Sequence, residues 1–281
     1  MSATLTGPPA TPPQSRGALL RVTPAALFGT RRAVRMVERN VYVYRRGWIF
    51  LVSGFFEPFF YLLSIGIGMS VLVGPLHVAG RLVAYPVFVA PGLLASSAMN
   101  GAIFDSVFNL FHKLRYAHTY ESVLATPLSV PDVATGELVW CLMRAGLYAA
   151  SFLCVMAALG DVASGWALLC YPEALVVAFA FAACGMAATT YMRSFQDFDV
   201  VLLVVLPMFL FSATFYPLSV YPGWLQAVVR ATPLYQGVAL LRATDLGDFG
   251  WSTAGHTAYL AALGVSGLVV TGRRLSSILV P

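Results

Sequence analysis

The stretch FYPLSVYPGWLQAVVRATPLYQG, residues 215–237, is apolar enough to enter a bilayer, yet Pro217, Pro222 and Pro233 interrupt it. Each proline removes a backbone donor and restricts the residue before it, so no continuous helix runs through. Between Pro222 and Pro233 lie ten residues, GWLQAVVRAT. As a helix they reach ~15 Å, half of a hydrocarbon core ~30 Å thick. Tyr221, Trp224 and Tyr235 are of the types that anchor at membrane interfaces. The segment at about 217–243 therefore reads as re-entrant, dipping in from one face as short helical pieces. Its freed backbone groups then have to be buried in protein or line a wet cavity. Pro217, Pro222, Trp224, Pro233 and Tyr235 become candidates for a gate. A loop resting on the surface is the competing reading.

The rest of the chain is built for lipid. Of its 281 residues, 59% are hydrophobic and only 10% charged, with a mean hydropathy of +0.78. A soluble domain carries roughly 25% charged residues, so composition alone gives an integral membrane protein. Lys113 is the sole lysine, flanked by His112 and Leu114. A P-loop requires Gly-Lys-Ser/Thr, so the chain has no Walker A motif and is not itself a P-loop ATPase. Cys141, Cys154, Cys170 and Cys184 are scattered through apolar stretches and read as small packing residues. His112 and His118 stand six apart, unlike the i, i+4 pair of a helical zinc site. No metal is expected.

Residues 1–23 hold Pro8, Pro9, Pro12 and Pro13 among Ser, Thr and Gly, the composition of a disordered tail rather than a signal peptide. Over 24–46, Leu27, Val34, Val37, Val41 and Tyr44 recur at helical spacing, with Arg31, Arg35 and Arg39 every fourth residue. Such a basic amphipathic helix lies on a membrane surface and contacts lipid. Residues 47–281 read as one transmembrane domain, with spans at about 48–73, 84–110, 131–158, 166–191, 198–216 and 254–272. The fold expected is all-α and integral to the membrane, with six transmembrane helices and no detectable repeat. With the N-terminus inside, thirteen basic residues fall on inner segments. Only Arg81, Arg230 and Arg242 fall outside. The positive-inside rule then puts both termini in the cytoplasm, and the broken segment becomes external.

Charges within spans are costly and usually paired. Glu57 lies in the first span, Asp105 in the second, and Glu137 and Arg144 on one face of the third. Glu57 or Glu137 is expected to pair with Arg144, with Asp105 joining. Gly66 and Gly68 form only a G-x-G, and read as sites of close helix packing, as does the small-residue run Ala95, Ser96, Ser97 and Ala98.

The stretch HKLRYAHTYESVLATPLSVPD, 112–132, is too polar for lipid and spaces Tyr116, Tyr120 and Leu124 by four. Three stretches together resemble a known family. LPMFLFSATFYPLSVYPGWLQAVVRATPLYQGVALLR (206–242) is similar to the C-terminal signature of ABC-2-type permeases, through Phe211, Pro217-Leu218, Pro222, Leu225, Thr232-Pro233-Leu234 and Leu241-Arg242. FFEPFFYLLSIGIGM (55–69) and APGLLASSAMNGAIFDSVFNLFHKLRYAHTYESVLATPLS (90–129) resemble the nodulation J and daunorubicin-resistance branch. The resemblance covers roughly 35–272. Tyr235-Gln236-Gly237 departs from the polar or histidine-containing run of many relatives, so no substrate contact is carried over there.

The resemblance implies the membrane subunit of a bacterial ABC exporter in the inner membrane. A separate P-loop ATPase subunit would hold ATP and Mg, with no cofactor on this chain. Lys113, Arg115, Tyr116, Tyr120, Glu121 and Leu124 would form the loop that docks on that ATPase. A second permease copy or paralogue would complete a dimer, and nucleic acid has no part. The substrate expected is amphipathic, drug-like or a lipid or glycolipid, moved outward. The residues alone leave a passive channel or a scaffold open. An intramembrane enzyme finds little material, since His256 and Ser266 stand ten apart on one helix, ~15 Å along its axis. There is also no H-E-x-x-H motif.

Overall fold

The computed structural model describes residues 33–44, 60–78, 80–117, 119–126 and 128–279. Helix α1 (Ala33–Tyr44) comes first, then α2 (Leu62–Val73). A short antiparallel hairpin follows, β1 (Leu76–Val78) with β2 (Arg81–Val83), in which His77 faces Leu82. Next come α3 (Tyr85–Tyr116), α4 (Thr119–Leu124), α5 (Val130–Leu159) and α6 (Gly165–Thr189). The chain closes with α7 (Asp197–Leu210), α8 (Gly223–Ala231), α9 (Pro233–Asp245) and α10 (Trp251–Leu279). Among the described residues, α3, α5, α6 and α10 are long and apolar enough to cross a membrane.

Local chemistry sets the boundaries. The α5 start is a capping box: the Ser129 N–H donates to Asp132 Oδ2 at 3.0 Å, and Pro131 occupies the first turn. Gly160, at φ 79°, ends it in the left-handed conformation that glycine adopts without strain. The second helix is longer than the expected 84–110, because it continues through two wider turns, Asp105–Asn109 and His112–Tyr116. In these the hydrogen bonds reach five residues back, as from the Ala117 N–H to the His112 carbonyl. Such insertions carry no hydropathy signal.

The fifth helix corrects the expected 198–216. It stops at Leu210, and fourteen residues rise ~21 Å, short of a ~30 Å core. The following turn holds Ala213 at φ 58°, a rare conformation for a residue with a side chain. The last helix runs longer than the expected 254–272, and the β-hairpin was not anticipated. The tail 1–23, the start of the 24–46 helix, the first half of the 48–73 span and Glu57 lie outside the described residues.

Helix α6 is the centre of the packing, lying against α3, α5, α9 and α10. Glycines let it do so. A Cβ on Gly267 of α10 would sit 2.8 Å from the Ala183 carbonyl carbon and 2.9 Å from the Cys184 nitrogen, both backbone of α6. A Cβ on Gly264 would run into the Phe179 ring, and one on Gly185 into Ser106 Oγ. Small residues that let backbones approach are the usual basis of helix packing in lipid. The expected Gly66 and Gly68 show no such approach among the described residues: Gly68 has nothing within 4 Å, and Gly66 has Pro86 at 3.7 Å. Of the expected run, Ala95, Ser96 and Ala98 are buried and Ser97 is half-buried.

By contrast, α7 stands away from this packing, and only Phe198 along it is buried. Val200, Leu203 and Val204 are among its exposed residues.

Gly267→Val should force α6 and α10 apart, since backbone cannot give way. Overpacking costs about 1–3 kcal/mol, read as a lower unfolding temperature of the purified protein. Gly255→Ala on the same helix, where no atom of the described residues lies within 4 Å, should leave it unchanged.

Candidate functional site

One end of the helices carries Lys113, Arg115, Arg193, Arg273 and Arg274, and is called here the basic end. Three elements meet there in one polar contact. Lys113 Nζ, near the end of α3, donates to both oxygens of Glu137 on α5, at 2.9 and 2.8 Å. It also donates to Asn40 Oδ1 of α1 at 3.1 Å. Asn40 Nδ2 completes the ring by donating to Glu137 Oε2 at 3.3 Å. Glu137 is 3% exposed and Lys113 12% at the side chain, so the pair is held away from water. Met36, one turn before Asn40, is buried on the same side of α1, while Val34 and Val41 are exposed. Thus α1 presents Met36 and Asn40 to the protein, packing on α5, and turns Val34 and Val41 outward.

A second ion pair lies deeper between the same two helices. Arg144 on α5 donates through Nη1 to Asp105 Oδ1 on α3, and through Nη2 to the Tyr148 hydroxyl at 3.1 Å. Asp105 is buried. The expected pairing of Glu137 with Arg144 is therefore corrected: Glu137 is taken by Lys113 and Asn40, and Asp105 is the carboxylate that meets Arg144. The helices run antiparallel, so Lys113 and Glu137 are level near the basic end. Asp105 and Arg144 are level about two turns farther in. Asp105 opens the first wide turn of α3 and Lys113 lies in the second. Glu57, the other expected partner, lies outside the described residues.

The expected coupling residues divide. Tyr116 is 55% exposed, leaning on Phe195 with ring centres 5.1 Å apart. Arg115 is exposed and donates to the Met192 carbonyl at 3.1 Å. Leu124 is half-buried. Tyr120 is only 1% exposed and faces the core, so it is not a surface contact. The spacing of four failed because α3 ends at Tyr116 and α4 begins a new direction at Thr119. Burial pushes the Tyr120 phenol well above its usual range, and the nearby Glu137 carboxylate adds to this. Glu121 lies on α4, its side chain outside what is described.

At the opposite end the broken segment folds as a cap. After Pro217 comes a single tight turn, Leu218–Val220, then α8 from Pro222 and α9 from Pro233. Trp224 is 71% exposed. Pro217, Pro233 and Tyr235 are half-buried, and Pro222 is exposed. Helix α9 is the inserted piece: Leu234, Val238, Leu240 and Leu241 are fully buried against α3, α6 and α10. Its end is anchored. The Ala163 N–H donates to Asp245 Oδ1 at 3.3 Å, and Thr244 Oγ1 donates to Glu173 Oε1 at 2.6 Å. Burial raises the Asp245 carboxyl to about 6, partly offset by that N–H. Arg81 of β2 donates to the Leu246 carbonyl at 3.2 Å, tying the hairpin to the cap.

Arg242 holds the cap to the break after α7. Its Nε donates to the Phe88 carbonyl at 3.2 Å, and Nη2 to those of Ala213 and Thr214 at 3.0 and 3.2 Å. The guanidinium also lies over the Phe88 ring, 3.8 Å from its centre. Gly92 makes room, since a Cβ there would be 3.1 Å from Thr214 Cα. Counting Arg242 among outward-facing arginines missed this; its setting, directly after Leu240 and Leu241 in an apolar helix, was the available signal. Asn40 was missed as well, although an asparagine four residues after Met36 marks a polar spot on an inward face.

Other expected chemistry does not assemble. His256 Nδ1 meets Gln236 Oε1, and Ser266 Oγ donates to the Leu263 carbonyl at 2.8 Å, so the two are not brought together. Among the described residues no group of three His, Cys, Asp or Glu could hold a metal.

The family model for the ABC-2 type transporter matches residues 32–246. The chain belongs to that family. The match runs from α1 to the end of α9 and includes both ion pairs and the cap. Nodulation protein J of Rhizobium leguminosarum bv. trifolii is 31% identical over 223 residues, covering 78% of this chain and 83% of its own. The protein of that name from Rhizobium leguminosarum bv. viciae is 32% identical over 215 residues, 75% and 81% of the two chains. That from Rhizobium meliloti (strain 1021) is 32% identical over 195 residues, 68% and 72%. This ABC-2 protein is thus a multi-pass membrane component of an ABC transporter, a kind of protein that works with an ABC ATPase subunit.

Removing one partner of a buried ion pair costs about 3–5 kcal/mol. Asp105→Ala and Arg144→Ala should each lower the unfolding temperature of the purified ABC-2 protein. The exchange Asp105→Arg with Arg144→Asp should recover most of the loss. Additive losses in the double variant would show that the two side chains act separately.

Proposed function

We propose that this chain is the permease half of an ATP-driven exporter that moves an amphipathic, drug-like or lipid or glycolipid substrate outward. ATP and Mg are held and hydrolysed on a separate P-loop subunit. In this reading the membrane is the bacterial inner membrane, both termini are cytoplasmic, and the basic end faces the cytoplasm. Six segments cross, those holding α2 and α7 completing the set, with the turn after Leu210 adding the depth that α7 alone lacks, and the cap from Pro217 to Asp245 closes the outer side. A second permease copy or paralogue completes the path.

The observation that carries this reading is the Lys113–Glu137–Asn40 contact. It joins the surface helix α1, the inner end of α3 and the start of α5 in one buried ring. A push on the segment after α3 reaches all three elements at once. Unpairing the ring would leave a buried charge, and that penalty keeps the elements together during the push. Exposed Arg115 and Tyr116, with Ser122 and Ala125 on α4 and the turn after it, offer the ATPase a face to grip. Lys113 and Asp105 of α3 are spent on Glu137 and Arg144 of α5. A path lined mainly by apolar side chains suits a substrate with a large apolar part.

The test is co-purification with the partner ATPase. Arg115→Glu with Tyr116→Ala changes exposed side chains only, so expression should hold. ATP-dependent efflux should fall at least tenfold, and retention of the ATPase should weaken. Unchanged efflux and association would refute the docking face.

A further inference from the structure

Between α7 and the α6–α10 pair runs an open apolar groove of about 690 Å³. Phe181 and Ala188 of α6, Val201, Val205 and Met208 of α7, and Leu263 of α10 line its walls. A second apolar cavity of about 480 Å³ under α8 continues it, sharing Val204, Met208 and Pro233. The walls are apolar almost throughout, but the end nearest Tyr191 is not.

At that mouth three arginines gather around the turn after α6. Arg193 lines the groove directly and is exposed. The Arg274 guanidinium lies over the Tyr191 ring, 4.3 Å from its centre, and its Nε is buried with no hydrogen-bond partner among the described residues. Arg115 spends one donor on the Met192 carbonyl. Asp197, the carboxylate at this mouth, is turned into the chain: its Oδ2 accepts the backbone N–H groups of Arg193 and Ser194 at 2.6 and 3.0 Å. Asp199 is exposed and does not line the groove. The mouth is therefore cationic, with donors to spare, at the foot of an apolar channel.

From these features we infer that the groove is a binding site for one anionic phospholipid. An acyl chain lies along α7 and the phosphate rests between Arg193 and Arg274. Dimensions favour this occupant. Asp197 to Met208 is eleven residues, ~16 Å along the helix, and one leaflet of the hydrocarbon core is ~15 Å deep. Charge selects the headgroup, since Arg193, Arg274 and Arg115 outnumber the Asp197 carboxylate at the mouth, and an anionic lipid gains from that surplus where a zwitterionic one gains little. A lipid so placed would wedge α7 against the body that carries the cap. The inference rests on the permease reading for its orientation, with this mouth in the inner leaflet.

The experiment uses the full-length purified chain without any ATPase, so its failure leaves the exporter reading standing. Vesicles of equal phosphatidylglycerol and phosphatidylcholine are mixed with the protein in mild detergent, and retained lipid is measured by mass spectrometry. Phosphatidylglycerol should be retained in excess. Arg193→Gln and Arg274→Gln should each cut that excess about fivefold. Val201→Trp, which fills the groove, should reduce retention of both lipids, and Arg230→Gln at the cap end should change nothing. Equal retention of the two lipids, or arginine variants that bind like the parent, would overturn the site. So would Val201→Trp disrupting cross-linking between copies while lipid retention stays the same, for then a second chain fills the groove.

Discussion

A lysine largely withdrawn from water needs a carboxylate, and Lys113 finds Glu137 across the gap between α3 and α5. In a medium of low dielectric a lone buried charge is heavily penalised, so this pair constrains everything attached to it. Asn40 is drawn in because Lys113 has a third donor and Glu137 oxygens have lone pairs to fill. That fastens α1, which also buries Met36 against the protein. Asp105 and Arg144 form a second rung about two turns in. With two rungs, sliding or rotating α3 against α5 would break both, so the helices are fixed in register and angle. Tyr120, fully buried beside Glu137, brings α4 onto the same assembly.

The cap end is built on a different device. Its backbone is broken, and in lipid every exposed carbonyl is expensive. Arg242 answers three of them at once, on α3 and in the turn after α7. The turn is thereby fixed against α3 while α9 stays locked among apolar neighbours. The two ends thus differ in kind: ion pairs between regular helices at one, a side chain serving irregular backbone at the other. Between them α6 is packed so closely on α10 that glycine is required. Along α7 the described contacts are of another kind, with Phe198 stacked on Phe108 at 4.2 Å between ring centres and Phe209 edge-on to Tyr61.

Much of this was legible in the residues. Apolar runs located α3, α5, α6 and α10, because length and hydropathy are what a bilayer selects. Prolines at 217, 222 and 233 marked the broken cap, because proline acts on backbone chemistry locally. What failed depended on register in three dimensions. Glu137 and Arg144 lie on one face of α5, yet which partner each meets is set by wide turns in α3 that no pattern of residue types announces. Tyr120 kept its spacing from Tyr116 but not its direction, because the helix ended between them. Gly66 and Gly68 resembled packing sites, whereas contact fell to Gly264 and Gly267, since a glycine matters only where another backbone arrives.

The central claim is that α1, the basic end of α3 and α4 form one mechanical body tied by Lys113. Distances between spin labels measure this directly in the protein bound to its ATPase. Labels at Val34 on α1 and Ser122 on α4, both exposed, should keep the same separation with and without ATP. Both should change their distance to a label at Trp224 in the cap. If the Val34–Ser122 distance changes with ATP as much as either distance to Trp224, the three elements do not move together and the account is contradicted.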